Sequence, residues 1–118
     1  MPEHAHQVTL VKWFDLTYPE YKGRLFAVPN GGFRHKATAR KLSLEGVRKG
    51  VPDLFLPIPT PNHHGLFVEL KSESGRPTVE QKEWISYLNS EGYLAKICKG
   101  WVTASKVISE YLECSSNG

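Results

Sequence analysis

With 118 residues, 40% of them hydrophobic and 11% aromatic, the chain can fill one core, which excludes wholesale disorder and points to a single domain over 1–118. Fifteen Lys and Arg against twelve Asp and Glu leave a net charge of +3, which permits a polyanionic partner without demanding one. No apolar run approaches the roughly 20 residues of a membrane span, no basic-then-apolar leader opens the chain, and Cys98 and Cys114 offer no disulfide framework. The expectation is a soluble, reduced, cytoplasmic protein.

Residues 3 to 17 read as a helix, with Val8, Val11, Trp13, Phe14 and Leu16 as its apolar positions and a stop before Tyr18-Pro19. Glu3 sits in the first turn, where the helix dipole favours an acid, and shares a face with Gln7. Gly23 to Pro29 reads as a strand that ends in a turn at Asn30-Gly31-Gly32. Arg34 to Glu45 has helical composition and stops at Gly46. From Arg34 to Lys49 the cations are Arg34, Lys36, Arg40, Lys41, Arg48 and Lys49, opposed by one acid, Glu45. Such a run is a solvated face or a surface for phosphates.

Val51 to Ile58 is the second strand, with Leu54, Phe55 and Leu56 forming a continuous apolar run. A proline-rich connection leads through His63 and His64, read as an exposed turn, to a third strand at Leu66 to Lys71. Period-two alternation there places Phe67, Glu69 and Lys71 on one face and Leu66, Val68 and Leu70 on the other. Thr78 is a helix N-cap, and Gln81 completes a capping-box pattern for a helix running to about Ser90. Tyr93 to Cys98 is a fourth strand, and about Thr103 to Leu112 a last helix, with a frayed tail from about 114. The order is that of an α/β domain: a mixed four-stranded sheet with helices on its faces.

Two of these strands carry carboxylates near their ends. Asp53, Glu69 and Lys71, with the Leu70 carbonyl between the last two, form a set of oxygen donors and a cation suited to a hard divalent ion and a phosphodiester. Pro-Asp alone is commonly a turn and Glu-x-Lys a strand face, but together on neighbouring strands they favour a site.

The ordered series Asn30-Gly31-Gly32, Gly50-Val51-Pro52-Asp53-Leu54, Glu69-Leu70-Lys71, Gly75-Arg76-Pro77-Thr78, Glu80-Gln81-Lys82, Leu88 and Gly92-Tyr93 resembles the virus-type replication-repair nucleases (VRR-NUC) of the Pro-Asp…(Asp/Glu)-x-Lys superfamily. The resemblance implies a restriction-endonuclease-like core and DNA cleavage dependent on Mg²⁺ or Mn²⁺. By the family pattern Asp53, Glu69 and the Leu70 carbonyl are metal ligands and Lys71 is the catalytic lysine. Gln81 matches the glutamine that follows the motif. One side chain is not expected to serve both the cap and the site, and the site is the role assigned to it. Glu3 lies where related nucleases carry a first-helix acid. Short stand-alone members resemble Holliday-junction resolvases, so the resemblance implies a homodimer acting on branched DNA, of bacterial or phage origin. A less structure-selective nickase or restriction-type enzyme, or a non-catalytic DNA-binding module, are the alternatives. Trp13, Phe14 and the final helix are a dimer surface or core.

Overall fold

The computed structural model describes residues 1–29 and 36–117. In chain order they form helix α1 (Glu3–Thr17), a 3₁₀ turn (Pro19–Tyr21), strand β1 (Phe26–Ala27), helix α2 (Lys36–Leu44), strands β2 (Leu54–Leu56) and β3 (Leu66–Lys71), helix α3 (Val79–Ser90), strand β4 (Leu94–Lys99) and helix α4 (Trp101–Asn117). The mixed sheet has the order β1-β2-β3-β4, antiparallel across the first two pairs and parallel between β3 and β4. The α3 crossover makes the parallel pair possible, because two parallel strands cannot be joined by a tight turn.

One face of the sheet presents Leu54, Leu56, Leu66, Val68, Leu70 and Cys98, all at most 1% exposed. They pack beneath Leu10 and Phe14 of α1 and Ala104, Ile108, Tyr111 and Leu112 of α4. The inward stripe of α1 is therefore Leu10 and Phe14, four residues apart, with Val11 and Trp13 partly buried against the core. Val8 and Leu16, expected on that stripe, face outward, Leu16 at 83% exposure. Phe14 belongs to the core and not to a dimer surface. Its neighbour Trp13 leans edge-on against Tyr18.

Helix α3 covers β4 on the opposite face, and Asn89 couples the two. Its side-chain amide accepts from the Ala95 N–H at 3.0 Å and donates to the Ala95 carbonyl at 3.1 Å, occupying backbone groups on an edge strand. Beyond α3, this face carries a row of partly exposed aromatic rings, with Phe55 stacked on Phe67 at 4.3 Å and Phe26 edge-on to Phe55.

The first two strands are shorter than expected, because prolines border them. Pro52 precedes β2 and Pro57 follows it, and a proline has no N–H for the ladder. With three residues in β2, β1 pairs only through Phe26 and Ala27, and the Val28 N–H reaching the Asp53 carbonyl at 2.8 Å extends the contact by one bond. Helix α4 is longer than expected at both ends. It starts at Trp101 after Gly100, where the Trp101 N–H is capped from α1 by His6 Nδ1 at 3.0 Å, and it continues as helix to Asn117 through the expected frayed tail. His63 and His64 lie in the turn before β3, packed against Tyr111 and Tyr93 respectively. The turn expected at Asn30-Gly31-Gly32 lies outside the described residues. Among the described residues no helix is long and apolar enough to cross a membrane.

Candidate active site

Strand β3 is central in the sheet and delivers Glu69 and Lys71 to the α3 side, as alternation requires. Both are buried, Glu69 at 1% and Lys71 at 7% exposure, although each carries a group that prefers water. Asp53 stands just before β2 and reaches across to β3, where its Oδ2 accepts the Leu70 N–H at 2.9 Å. The amide and carbonyl of one strand residue point the same way, so the Leu70 carbonyl also faces the Asp53 side. The Lys71 carbonyl faces the other way and accepts from Gly100 N–H at 2.9 Å.

Gln81 approaches from the first turn of α3. Its Oε1 accepts the Thr78 N–H at 2.9 Å, while the Thr78 hydroxyl accepts the Gln81 N–H at 3.1 Å, which closes the capping box. Its other end, Nε2, donates to Glu69 Oε2 at 3.1 Å. The expectation that cap and site exclude each other is therefore corrected. A carboxamide has an acceptor end and a donor end, and here each serves one role.

Glu69 Oε2 is thus approached twice, by Gln81 Nε2 and by Lys71 Nζ at 3.7 Å. Glu69 Oε1 is buried with no hydrogen-bond partner. Burial first, then the charge of the neighbouring Asp53 and the hydrogen bond a proton between the two carboxyls would make, raise the Glu69 carboxyl from 4.5 to about 8 against the opposing pull of Lys71. A Glu69 carboxyl raised this far holds a proton at neutral pH when nothing else neutralises it. A divalent cation in place of that proton satisfies the bare oxygen, and two carboxylates plus a carbonyl are hard oxygen donors of the kind Mg²⁺ and Mn²⁺ take. The residues present therefore fit such an ion. Among the described residues no group of three or more His, Cys, Asp or Glu side chains gathers as a metal cluster.

Glu3 stands at the rim. It is exposed, its charge adds to the upward push on Glu69, and a β-carbon built on Gly75 would lie 3.3 Å from its Oε2, which places it beside the loop that follows β3. The basic segment divides. Lys36, Arg40 and Lys41 lie exposed on α2, and none of that helix's residues is buried. Arg48 donates to the Ser43 carbonyl at 2.8 Å, closing the end of α2, and Lys49 pairs with Glu80 at 3.6 Å. Arg34 lies outside the described residues.

Sequence reasoning names Gly50 only as part of the motif series and misses its packing role: its φ of +91° puts its α-carbon directly against the Glu80 backbone. A β-carbon there would stand 2.7 Å from the Glu80 carbonyl carbon, closer than packed atoms come. This approach ties the segment carrying Asp53 to the turn carrying Gln81. Gly50→Ala is expected to cost about 2 kcal/mol or more in stability, from strain at positive φ plus the clash, read by denaturant unfolding. A change below about 0.5 kcal/mol would show that the two segments are not so joined. His6 was missed as well; no local pattern links it to Trp101 across the fold.

Fold and site together define an α/β domain in which an Asp just ahead of β2 and a Glu and a Lys of β3 meet around one buried polar centre, the arrangement of a nuclease-type domain. The VRR-NUC domain family model matches residues 1–101, and the chain belongs to that family. A solved structure described as a VRR_NUC domain protein superposes with a TM-score of 0.84 at 28% identity, covering 97% of this chain and 90% of that one. None of the curated proteins compared with the chain matches it.

Proposed function

We propose that this domain is a metal-dependent DNA endonuclease that hydrolyses phosphodiester bonds, with branched DNA such as four-way junctions as substrate and a homodimer as the working form. The observation that carries the reading is the bare, buried Glu69 Oε1 beside Asp53 and Lys71. Asp53, Glu69 and the Leu70 carbonyl would hold Mg²⁺ or Mn²⁺, and the ion supplies charge neutralisation at the phosphoryl oxygens and a more acidic bound water. Lys71, kept among its neighbours by burial and by Glu69, stabilises negative charge as it develops and orients the attacking water. Gln81 keeps Glu69 Oε2 in position, and Glu3 orients water at the rim. Lys36, Arg40 and Lys41 on α2 contact phosphates, with Arg34 and Arg48 contributing at either end, while Lys49, paired with Glu80, is left out of this set.

The test is a panel of four-way junctions, flaps and linear duplex, incubated with and without Mg²⁺ or Mn²⁺, with cut sites mapped on both strands. Metal-dependent paired cuts across a junction are the expected result. Cutting of all substrates alike would replace the junction reading with a less selective nickase, and no cutting of any would leave only a binding module.

The double role of Gln81 makes a separable prediction. Thr78→Ala removes part of the cap and is expected to cost about 1 kcal/mol in stability while sparing cleavage. Gln81→Glu keeps an acceptor for the Thr78 N–H but sets a carboxylate against Glu69. It is expected to lower the cleavage rate about 10- to 100-fold with little loss of melting temperature, the usual effect of losing a group that orients a metal ligand. Equal activity in Gln81→Glu and the wild type would reduce Gln81 to a cap.

A further inference from the structure

A groove of about 380 Å³ runs along the outer side of α3, lined by Lys49, Glu80, Glu83, Trp84 and Tyr87. The four helix residues fall at spacings of three, four and seven from Glu80, so they share one face. Its walls are the two segments that reach the candidate active site, since Glu80 adjoins Gln81 and Lys49 leads through Gly50 to Asp53. We infer that this groove holds an unpaired nucleobase of the DNA flanking the bond to be cut.

Three observations favour a base over a phosphate. Trp84 and Tyr87 meet edge to face, with centroids 5.8 Å apart and planes at 87°, and form a right-angled apolar corner for a flat heterocycle. Tyr87 keeps 55% of its surface exposed, so its ring is open to a partner. The cation in the groove is already engaged, Lys49 with Glu80 at 3.6 Å, and Glu80 and Glu83 repel a phosphate while offering acceptors to the exocyclic amino groups of bases. The volume lies at the small end of the range for ligand sites, about 300–1,000 Å³, which suits one base. A gap or flap carries such unpaired bases beside its duplex, a four-way junction offers one only where its centre is opened, and a continuous duplex offers none. The groove would thereby contribute to substrate choice.

This inference rests on the nuclease reading, and the test keeps the two apart. Binding is measured by fluorescence anisotropy in chelator, so that no strand is cut, on a continuous duplex and on the same duplex with a short single-stranded gap. The wild type is expected to prefer the gapped DNA. Tyr87→Ala is expected to reduce the ratio of the two affinities about tenfold, the effect of losing one base–aromatic stack. Tyr87→Phe retains the ring and the ratio. The slope of affinity against salt concentration is the same in Tyr87→Ala as in the wild type, because no phosphate contact is lost.

No preference in the wild type, or an unchanged ratio in Tyr87→Ala, overturns the inference; metal-dependent cleavage in the panel above then leaves the nuclease reading in place. A wild-type dimer that Tyr87→Ala converts to monomer in sedimentation identifies the groove as a contact between copies of this chain and also overturns it. Failure to bind either DNA in chelator overturns the inference, and the cleavage panel with metal alone then decides the nuclease reading. Melting temperature controls for folding in each variant.

Discussion

Replacing Lys71 with alanine is expected to lower metal-dependent cleavage by at least about 10²- to 10³-fold, the scale for removing a donor that stabilises transition-state charge. Lys71 is 7% exposed and its Nζ stands 3.7 Å from Glu69 Oε2, so the ammonium is held in place before substrate arrives. Its removal acts twice. The developing charge at the phosphoryl group loses a neighbouring cation, and Glu69 loses the positive charge that opposes the upward push on its carboxyl. Glu69 then keeps its proton to still higher pH, which weakens its competition for a divalent ion. Lys71→Met conserves most of the volume and is expected to show the same loss, separating charge from packing. Lys71→Arg is not a conservative rescue, because a planar guanidinium does not fit a site shaped for a compact ammonium. DNA affinity should stay within about threefold of wild type in both variants, since a buried lysine contributes little to encounter with the phosphate backbone. Single-turnover cleavage and anisotropy on the same junction measure the two quantities. Cutting retained in Lys71→Met would refute the assignment of Lys71.

The second large effect concerns Glu69 and needs no substrate. Its carboxyl moves from 4.5 to about 8 on folding, so between those pH values the folded chain holds a proton that the unfolded chain has released. Stability without metal is then highest at the acidic end of this window and falls as pH rises through about 8, by a few kcal/mol in all. Glu69→Gln removes the titration and keeps a hydrogen-bonding amide in place. Its melting temperature is expected to exceed that of the wild type at pH 8 and to converge with it near pH 5. Divalent metal reverses the order. An ion held by the ionised carboxylates stabilises the wild type by mass action, most strongly at high pH, and does little for Glu69→Gln. Calorimetry of the two proteins at pH 5 and 8, with and without Mn²⁺, reads all four comparisons. A metal-induced shift of equal size in Glu69→Gln would place the ion elsewhere.

Much of the candidate site was legible from local rules because its signals are local. Alternation along Leu66–Lys71 set Glu69 and Lys71 on one face, and apolar neighbours left that face little alternative to opening on something polar. The element order followed from periodicity and breakers for the same reason, and the α3 limits from Thr78 and Gly92. Strand lengths were less legible. Apolar composition suggested eight residues from Val51 to Ile58, while the prolines and the pairing with β3 allowed three.

Local sequence rules supply the inventory and its order: one Asp beside one strand, one Glu and one Lys on the next, a capping helix after them, and a basic segment before them. Spacing and side-chain period suffice for that, because both act within a few residues. The tertiary structure alone decided how these groups meet. It gave Gln81 two partners at once, paired Lys49 with Glu80 of α3, drew Phe14 into the core, and capped α4 with His6 from the other end of the chain. Such contacts depend on distances between residues remote in sequence, which are set when the sheet and its helices pack.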